Sequence, residues 1–412
     1  MNIHFVRHGM VLAGAALLSH AAQAQTATVT PLFSLSQAPG PALGGISPDG
    51  LGGLVLQAFT RSATYPYGVF LDFTPPASGN AAWTEKVVYA LQGGADGVLG
   101  VGNMIADGNG GLLGATFAGG AANVGTIFDL VPPTAVGGTW THTVVYSFAT
   151  GSGDGQIPTG SMVTDGAGHY FGSTEQGGTG GAGVVFELTQ PATPGGAWTE
   201  QVIANITASK TEASPPEHLS IDANGTIYVA LAKGGPAKGG QLISLTPTGD
   251  GTWTQTVLHN FGAGKDGRHP SGRVVFDAAG NIYGTTLNGG AGGDGTVFEL
   301  SRAGAGYTET ILYNFNGAGT NGNAPADNLL IGADGTLTGG VGTGGASGYG
   351  AIYTLTPGAG GYVFNLAYSF PGGKGGMTPK FSFVPDAESG AFYSITYKGG
   401  MGNRGLGFLY TP

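Results

Sequence analysis

The residues best equipped for chemistry stand in a chain that is otherwise poor in charge, with only 9% Asp, Glu, Lys or Arg. Glu217, His218, His269, Arg273, Asp327 and Asn328 bring together carboxylates, imidazoles, a guanidinium and an amide. An imidazole beside a carboxylate can move a proton, and a fixed guanidinium can hold an anionic oxygen. That set would suit a lyase or lactonase. It would equally suit a non-catalytic site in which Arg273 and His218 donate and the carboxylates accept. Alignment of the surrounding stretches on Pro270 puts one polar position in register, reading Gly45, Asn103, Ser161, His218, Arg273, Asn328 and Ser382. The next residue is apolar each time: Ile46, Met104, Met162, Leu219, Val274, Leu329 and Phe383. A polar ring above an apolar one is expected of a packed channel with a wet entrance; a solvated rim without a ligand is the competing reading.

Other spacings carry less. The Gly-rich loops lack the Gly-Lys-Ser/Thr of a phosphate cradle. Asp96-Gly97, Asp154-Gly155 and Asp266-Gly267 resemble fragments of calcium loops, yet each offers one carboxylate where calcium takes several oxygens. No linear spacing marks a nucleophilic triad, a metal site or a carboxylate pair, so neither cofactor nor metal is expected.

The elements that position these residues repeat. An aromatic residue opens an alternating strand at Trp83, Trp140, Trp198, Trp253, Tyr307 and Tyr362, and a weaker copy begins at Ala27, giving seven copies 54 to 58 residues apart. In the fifth copy a glycine loop (262–268) and Pro270 follow, then a strand at 273–276, a tight turn at Asp277–Gly280, a strand at 281–286, a second glycine loop (287–294) and a last strand at 296–300. Asp49, Asp107, Asp165, Asp222 and Asp277 share the turn position, where a carboxylate bonds backbone N–H groups and the following Gly takes a positive φ. Gly332 replaces it in the sixth copy, and Asp386 holds it in the seventh with one extra residue before Gly390.

Four strands in about 55 residues, seven times over, predict an all-β, seven-bladed propeller of four-stranded blades. The chain enters on the repeat's first strand (28–35) and leaves on its last (405–410). If the first strand is a blade's outermost one, the N-terminal segment completes the final blade and closes the ring, leaving fewer open edges. A monomer is expected. The two long glycine loops of each copy then share one face, which is where binding groups would sit. The opening Trp and Tyr residues read as outer-strand packing.

The run Asp-x-x-Gly-Asn-x-Tyr-Gly-Thr-Thr, then Gly-Gly, then Gly-Thr-Val-Phe-Glu-Leu, best displayed at Asp277–Leu300 and in outline at 107–130 and 165–188, resembles the choice-of-anchor tandem repeat (GloVer repeat) of exported bacterial proteins. The resemblance spans nearly all of the chain after residue 24. It implies a repeat architecture and an exported life but no catalytic residue. The family's C-terminal anchor has no counterpart before Thr411-Pro412, so release or periplasmic residence is expected.

The N-terminus agrees. Arg7, the apolar run 10–18 and Ala22-Gln23-Ala24 read as a secretory signal peptide cleaved after Ala24, too short for a membrane span. Residues 25–412 form the propeller. The chain has no cysteine, so neither disulfides nor a lipid-bearing Cys can serve it. With 24 acidic against 14 basic residues, the charge argues against nucleic acid and anionic membranes as partners. The preferred reading is an exported, non-catalytic propeller that binds an extracellular protein or glycan on its loop-rich face.

Overall fold

A computed structural model of the chain describes residues 27–412 apart from 37–43, 59–61, 78–81, 135–137, 152, 161, 194, 207–217, 305, 318–320, 326, 327, 387 and 388. The signal-peptide segment, Glu217 and Asp327 therefore lie outside the described residues. Seven antiparallel sheets follow one another around a ring. Blade 1 is formed by 46–90, blade 2 by 98–147, blade 3 by 155–205, blade 4 by 218–260, blade 5 by 267–314 and blade 6 by 323–369. Blade 7 takes three strands from 377–411 and its outermost from Thr28–Ser34. The helical content of the described residues is two short 3-10 turns, Gly94–Asp96 and Gly373–Gly375.

The expected closure is present. Thr28–Ser34 pairs antiparallel with Leu406–Thr411, from Thr28 opposite Thr411 to Ser34 opposite Leu406. Leu35 N–H extends the ladder to Gly405 O at 3.1 Å, and Met401 N–H reaches Ser34 Oγ at 3.0 Å. Each sequence copy thus runs one strand out of phase with the blades: its opening strand belongs to the blade before.

Apolar side chains pack in seven clusters, one between each pair of neighbouring blades. The aligned residues Ile46, Met104, Met162, Leu219, Val274, Leu329 and Phe383 fall one to a cluster. They do not line the channel as an apolar ring, as their alternation with the polar positions had implied. Residues of the innermost strand point at the adjoining blades, because a sheet's side chains leave its two faces and the channel meets only its edge. The repeat's opening residue packs against a cluster as well, including Trp83, Trp140, Trp198, Trp253, Tyr307 and Tyr362. In five copies the turn aspartate accepts two backbone N–H bonds, as at Asp107 from Asn109 and Gly111, both 2.7 Å.

The Tyr-Gly-Thr-Thr and Val-Phe-Glu-Leu segments are explained by one contact. Gly284 of the second strand stands opposite Phe298 of the third, and a Cβ on Gly284 would lie 2.5 Å from the Phe298 ring. Gly114/Phe128, Gly172/Phe186 and Gly339/Tyr353 repeat the pair. Where the ring is lost the glycine is lost too, as Leu56/Leu71 in blade 1 and Val229/Ile243 in blade 4. In blade 7 the ring is kept opposite a serine, Ser394/Phe408, so every ring faces a small residue.

This pairing predicts strong coupling. Gly284→Val should destabilise blade 5 by ~1–3 kcal/mol through overpacking. Adding Phe298→Ile recreates the blade 4 pair and should cost at least ~1 kcal/mol less than the two single changes together. A urea-denaturation double-mutant cycle measures this, and additive costs would show that the two positions do not share space.

Candidate functional site

The loops from one blade's outermost strand to the next blade's innermost strand, and the loops between second and third strands, lie on the same face. They are stitched together at five junctions by a residue with positive φ whose N–H donates to the preceding blade's loop: Leu99 to Tyr67 O, Ile157 to Val124 O, His269 to Gly239 O, Ala324 to Asp294 O and Thr378 to Tyr349 O, all 2.6–2.8 Å. His269 owes its place to that backbone bond, and its half-buried ring pairs Nδ1 with Asn288 Oδ1 at 2.9 Å.

The Arg273 guanidinium reaches beyond its own blade and its neighbour. Nη2 donates to Met162 O at 2.9 Å, so a blade 5 side chain is fastened to blade 3 past the whole of blade 4. Protein surrounds the guanidinium, burial lowers its pKa, and only part of the residue meets solvent. Arg273 N–H donates to Asn328 Oδ1 at 3.0 Å, which commits the Asn328 carbonyl to its neighbour. Asn103 makes a matching approach to blade 1: a Cβ on Gly45 would overlap its Oδ1. His218 opens the innermost strand of blade 4, half-buried and opposite Ala230. The structure therefore joins Arg273 to Asn328, sets Asn103 and His269 at other junctions, and uses Arg273, Asn328 and the His269 backbone in holding blades together.

Folding brings together carboxylates that the linear spacing kept apart. On the face with the tight turns, the turn aspartate meets an acid of the third strand, as in Asp49/Asp72 and Asp107/Asp129. Burial, and then the charge of Asp107, pushes the Asp129 carboxyl up to about 6; burial and Asp49 do the same to Asp72. Elsewhere a partner relieves the pair. His169 Nδ1 lies 2.7 Å from Glu187 Oε1, and Tyr283 donates to Asp277 at 3.0 Å and to Glu299 at 3.5 Å. A cleft of about 190 Å³ beside Asp107 and Asp129 is walled by Gln190, Pro191 and Trp198.

On the loop-rich face the three Asp-Gly aspartates take on a shared role. Asp96, Asp154 and Asp266 each tie their loop by accepting a backbone N–H, from Gln92, Ala149 and Gly262 at 2.7–2.9 Å. Each also meets one residue from the outermost strand before it and one from the outermost strand after it. Between blades 1 and 2 Tyr89 donates to Asp96 at 2.9 Å while buried His142 stacks on Tyr89 and sits 3.0 Å from the carboxylate. Between blades 2 and 3 Tyr146 donates to Asp154 at 3.0 Å and to Glu200 at 3.3 Å, and burial followed by the Asp154 charge pushes Glu200 up to about 7. Between blades 4 and 5 the tyrosine is replaced by His259, whose Nε2 lies 3.2 Å from Asp266 and 3.6 Å from Glu309. Burial opposes charge on His259, but the two carboxylates outweigh it and raise its pKa; burial raises Glu309 to about 7.

The same face carries a wider cleft, of about 540 Å³, in blade 3. Gly151, Gly153, Gly177, Gly178 and Gly181 form most of its wall, with Gln156, Gln176, Thr179 and Asp154. The Asp154 carboxylate is already engaged by Tyr146, Ala149 N–H and Gly155 N–H. What remains for a ligand is main chain, two carboxamides and a hydroxyl, without a cation.

A seven-bladed ring encoded by a tandem repeat, with its polar loops on one face, is the class of protein that this geometry defines. The sequence model of the Gloeobacter/Verrucomicrobia repeat matches residues 191–408, more than half of the chain, and the chain belongs to that family. No curated protein sequence matches it. Among solved structures it is similar to a Bacteroides uniformis protein provisionally named a 6-phosphogluconolactonase, with 14% identity, a TM-score of 0.52, and 82% of this chain and 86% of that one covered. At that identity the likeness is one of fold. Among the described residues no helix is long and apolar enough to cross a membrane.

The buried acids fix a pH dependence. Asp72 and Asp129 near 6 and Glu200 near 7 are raised above their ordinary values, so the stability they contribute is full below about pH 4 and is lost as pH rises through 6 to 7. Urea midpoints should fall between pH 5 and pH 7.5. Asp129→Asn should flatten that slope and exceed the wild type at pH 7.5; an unchanged slope in the variant would count against the Asp107/Asp129 pair as its source.

Proposed function

We propose that this chain is an exported, non-catalytic propeller that binds a neutral, hydroxyl-rich ligand of the glycan type on its loop-rich face. The observation that carries the reading is the blade 3 cleft: its volume of about 540 Å³ and its glycine walls admit a ligand to the main chain. Gln156 and Gln176 each supply a donor and an acceptor, which matches the alternating demands of sugar hydroxyls. The lack of Lys, Arg or His in the wall disfavours phosphorylated or acidic sugars. Export rests on residues 1–24, whose charge, apolar run and small-residue site are those of a cleaved leader. A lactonase reading, prompted by the name of the Bacteroides uniformis protein, would draw on Arg273, whose Nη2 is engaged by Met162 O.

A glycan array followed by calorimetry tests the proposal. A neutral oligosaccharide should bind without turnover, and Gln156→Ala or Gln176→Ala should each weaken it ~3–10-fold, the worth of one or two hydrogen bonds, with the melting temperature unchanged. Absence of binding across neutral glycans, or turnover of a lactone by the purified protein, would sink it.

A further inference from the structure

We infer that His259, Asp266 and Glu309 form a binding site for a divalent transition ion of the Zn²⁺ class, seated between blades 4 and 5 at the edge of the loop-rich face. The three side chains come from separate segments: the outermost strand of blade 4, the loop into blade 5 and the outermost strand of blade 5. One donor atom of each lies within 4.8 Å of the other two. A metal bonded at ~2.0–2.2 Å holds its ligands roughly 3.0–3.5 Å apart. The Nε2 separations of 3.2 Å from Asp266 Oδ2 and 3.6 Å from Glu309 Oε2 are already close to that spacing.

A second observation points the same way. The Asp266 side chain is only 9% exposed, and its Oδ1 has no hydrogen-bond partner; Oε1 of Glu309, 15% exposed, has none either. Buried carboxylate oxygens without donors are costly; a proton shared between Glu309 and Asp266 relieves the pair in part, and a cation would relieve both carboxylates at once. The equivalent junctions show how this differs from a structural latch. Between blades 2 and 3 the same two acidic positions, Asp154 and Glu200, receive the hydroxyl of Tyr146 as a common donor; Glu200 Oε1 is unpaired there too, but both oxygens of Asp154 are bonded, which those of Asp266 are not. His259 stands where that tyrosine stands, and an imidazole nitrogen can ligate a metal where a phenol at neutral pH serves as a donor.

The donor set chooses the ion. One nitrogen with two carboxylates suits Zn²⁺ and its borderline neighbours, whereas Ca²⁺ requires six to eight oxygens and Mg²⁺ an oxygen shell with several waters. His259 is 21% exposed, so solvent reaches the cluster and water can fill the remaining coordination positions. With ligands from both blades, the ion would fasten blade 4 to blade 5.

The test uses the purified whole protein, freed of metal by a chelator, with Zn²⁺ as the probe and Ca²⁺ and Mg²⁺ as controls. Calorimetry should find one Zn²⁺ per chain, and saturation should raise the melting temperature by about 2 °C or more, since an ion that binds only the folded ring stabilises it. His259→Tyr restores the tyrosine latch of the blade 2–3 junction and should fold normally while losing the Zn²⁺ response. Glu309→Gln, which keeps the shape, should weaken Zn²⁺ at least tenfold and guards against a folding defect in the first variant. A wild type indifferent to Zn²⁺, an equal response to Ca²⁺, or a full Zn²⁺ response in both variants would overturn the inference.

Discussion

The pairing of Thr28–Ser34 with Leu406–Thr411 is the interaction on which the rest of the ring depends. A blade can bury its two faces only against two neighbours, so an open row of seven would leave two terminal faces in water. Closing the row removes both. Here closure rests on a sheet ladder and on the packing behind it, where Phe33 of the entering strand stacks on Phe73 of blade 1 with ring centres 3.9 Å apart. With no cysteine in the chain, the joint has to be made from backbone hydrogen bonds and apolar area, both supplied by segments at opposite ends of the sequence.

The one-strand phase shift that permits closure also decides where polar groups meet. Each connecting loop is flanked by outermost strands of two different blades, so any acid on it is offered one partner from each side. Asp96, Asp154 and Asp266 all sit at such a crossing, and Asn321, bonded to the Tyr313 hydroxyl at 2.7 Å, takes the same place between blades 5 and 6. There Phe364 stacks on Tyr313 at 4.4 Å where other junctions have His142, Glu200 or Glu309. One scaffold position thus hosts a stacked aromatic, a neutral imidazole or a carboxylate without disturbing the blades. That tolerance is what lets a single junction acquire new chemistry while the ring is kept.

Blade number, phase and closure were legible in the sequence because each rests on spacing: opening aromatics every 54 to 58 residues, turn aspartates with their glycines, and a chain that starts and stops on different strands. The site was less legible, and the reason is geometric. Asp107 and Asp129 are 22 positions apart, and Asp266 and Glu309 are 43 apart; neither separation stands out until strands are laid side by side. Arg273 invited a reading as a ligand's partner because it is a lone cation at a polar position. Its true neighbour, the carbonyl of Met162, carries no mark in the sequence, since every residue has one. The replacement of Tyr by His at position 259 was visible in the aligned copies, and comparison of that column with the two acidic columns would have found the cluster.

Glycine serves this protein in two ways that the composition cannot separate. At Gly284 a side chain is excluded by the Phe298 ring, and the residue is as much a part of the core as the ring itself. At Gly151 and Gly153 nothing lies within 4 Å of where a Cβ would be, and the requirement comes from positive φ values of 78° and 81° alone. Packing glycines recur opposite the ring in blades 2, 3, 5 and 6, with Ser394 in that place in blade 7, because the position answers to a neighbour fixed by the fold. Loop glycines answer only to the path of their own turn, and the loops vary in length and sequence from copy to copy. Main chain is therefore uncovered to different extents from copy to copy, which makes the seven junctions of a repetitive ring chemically unequal.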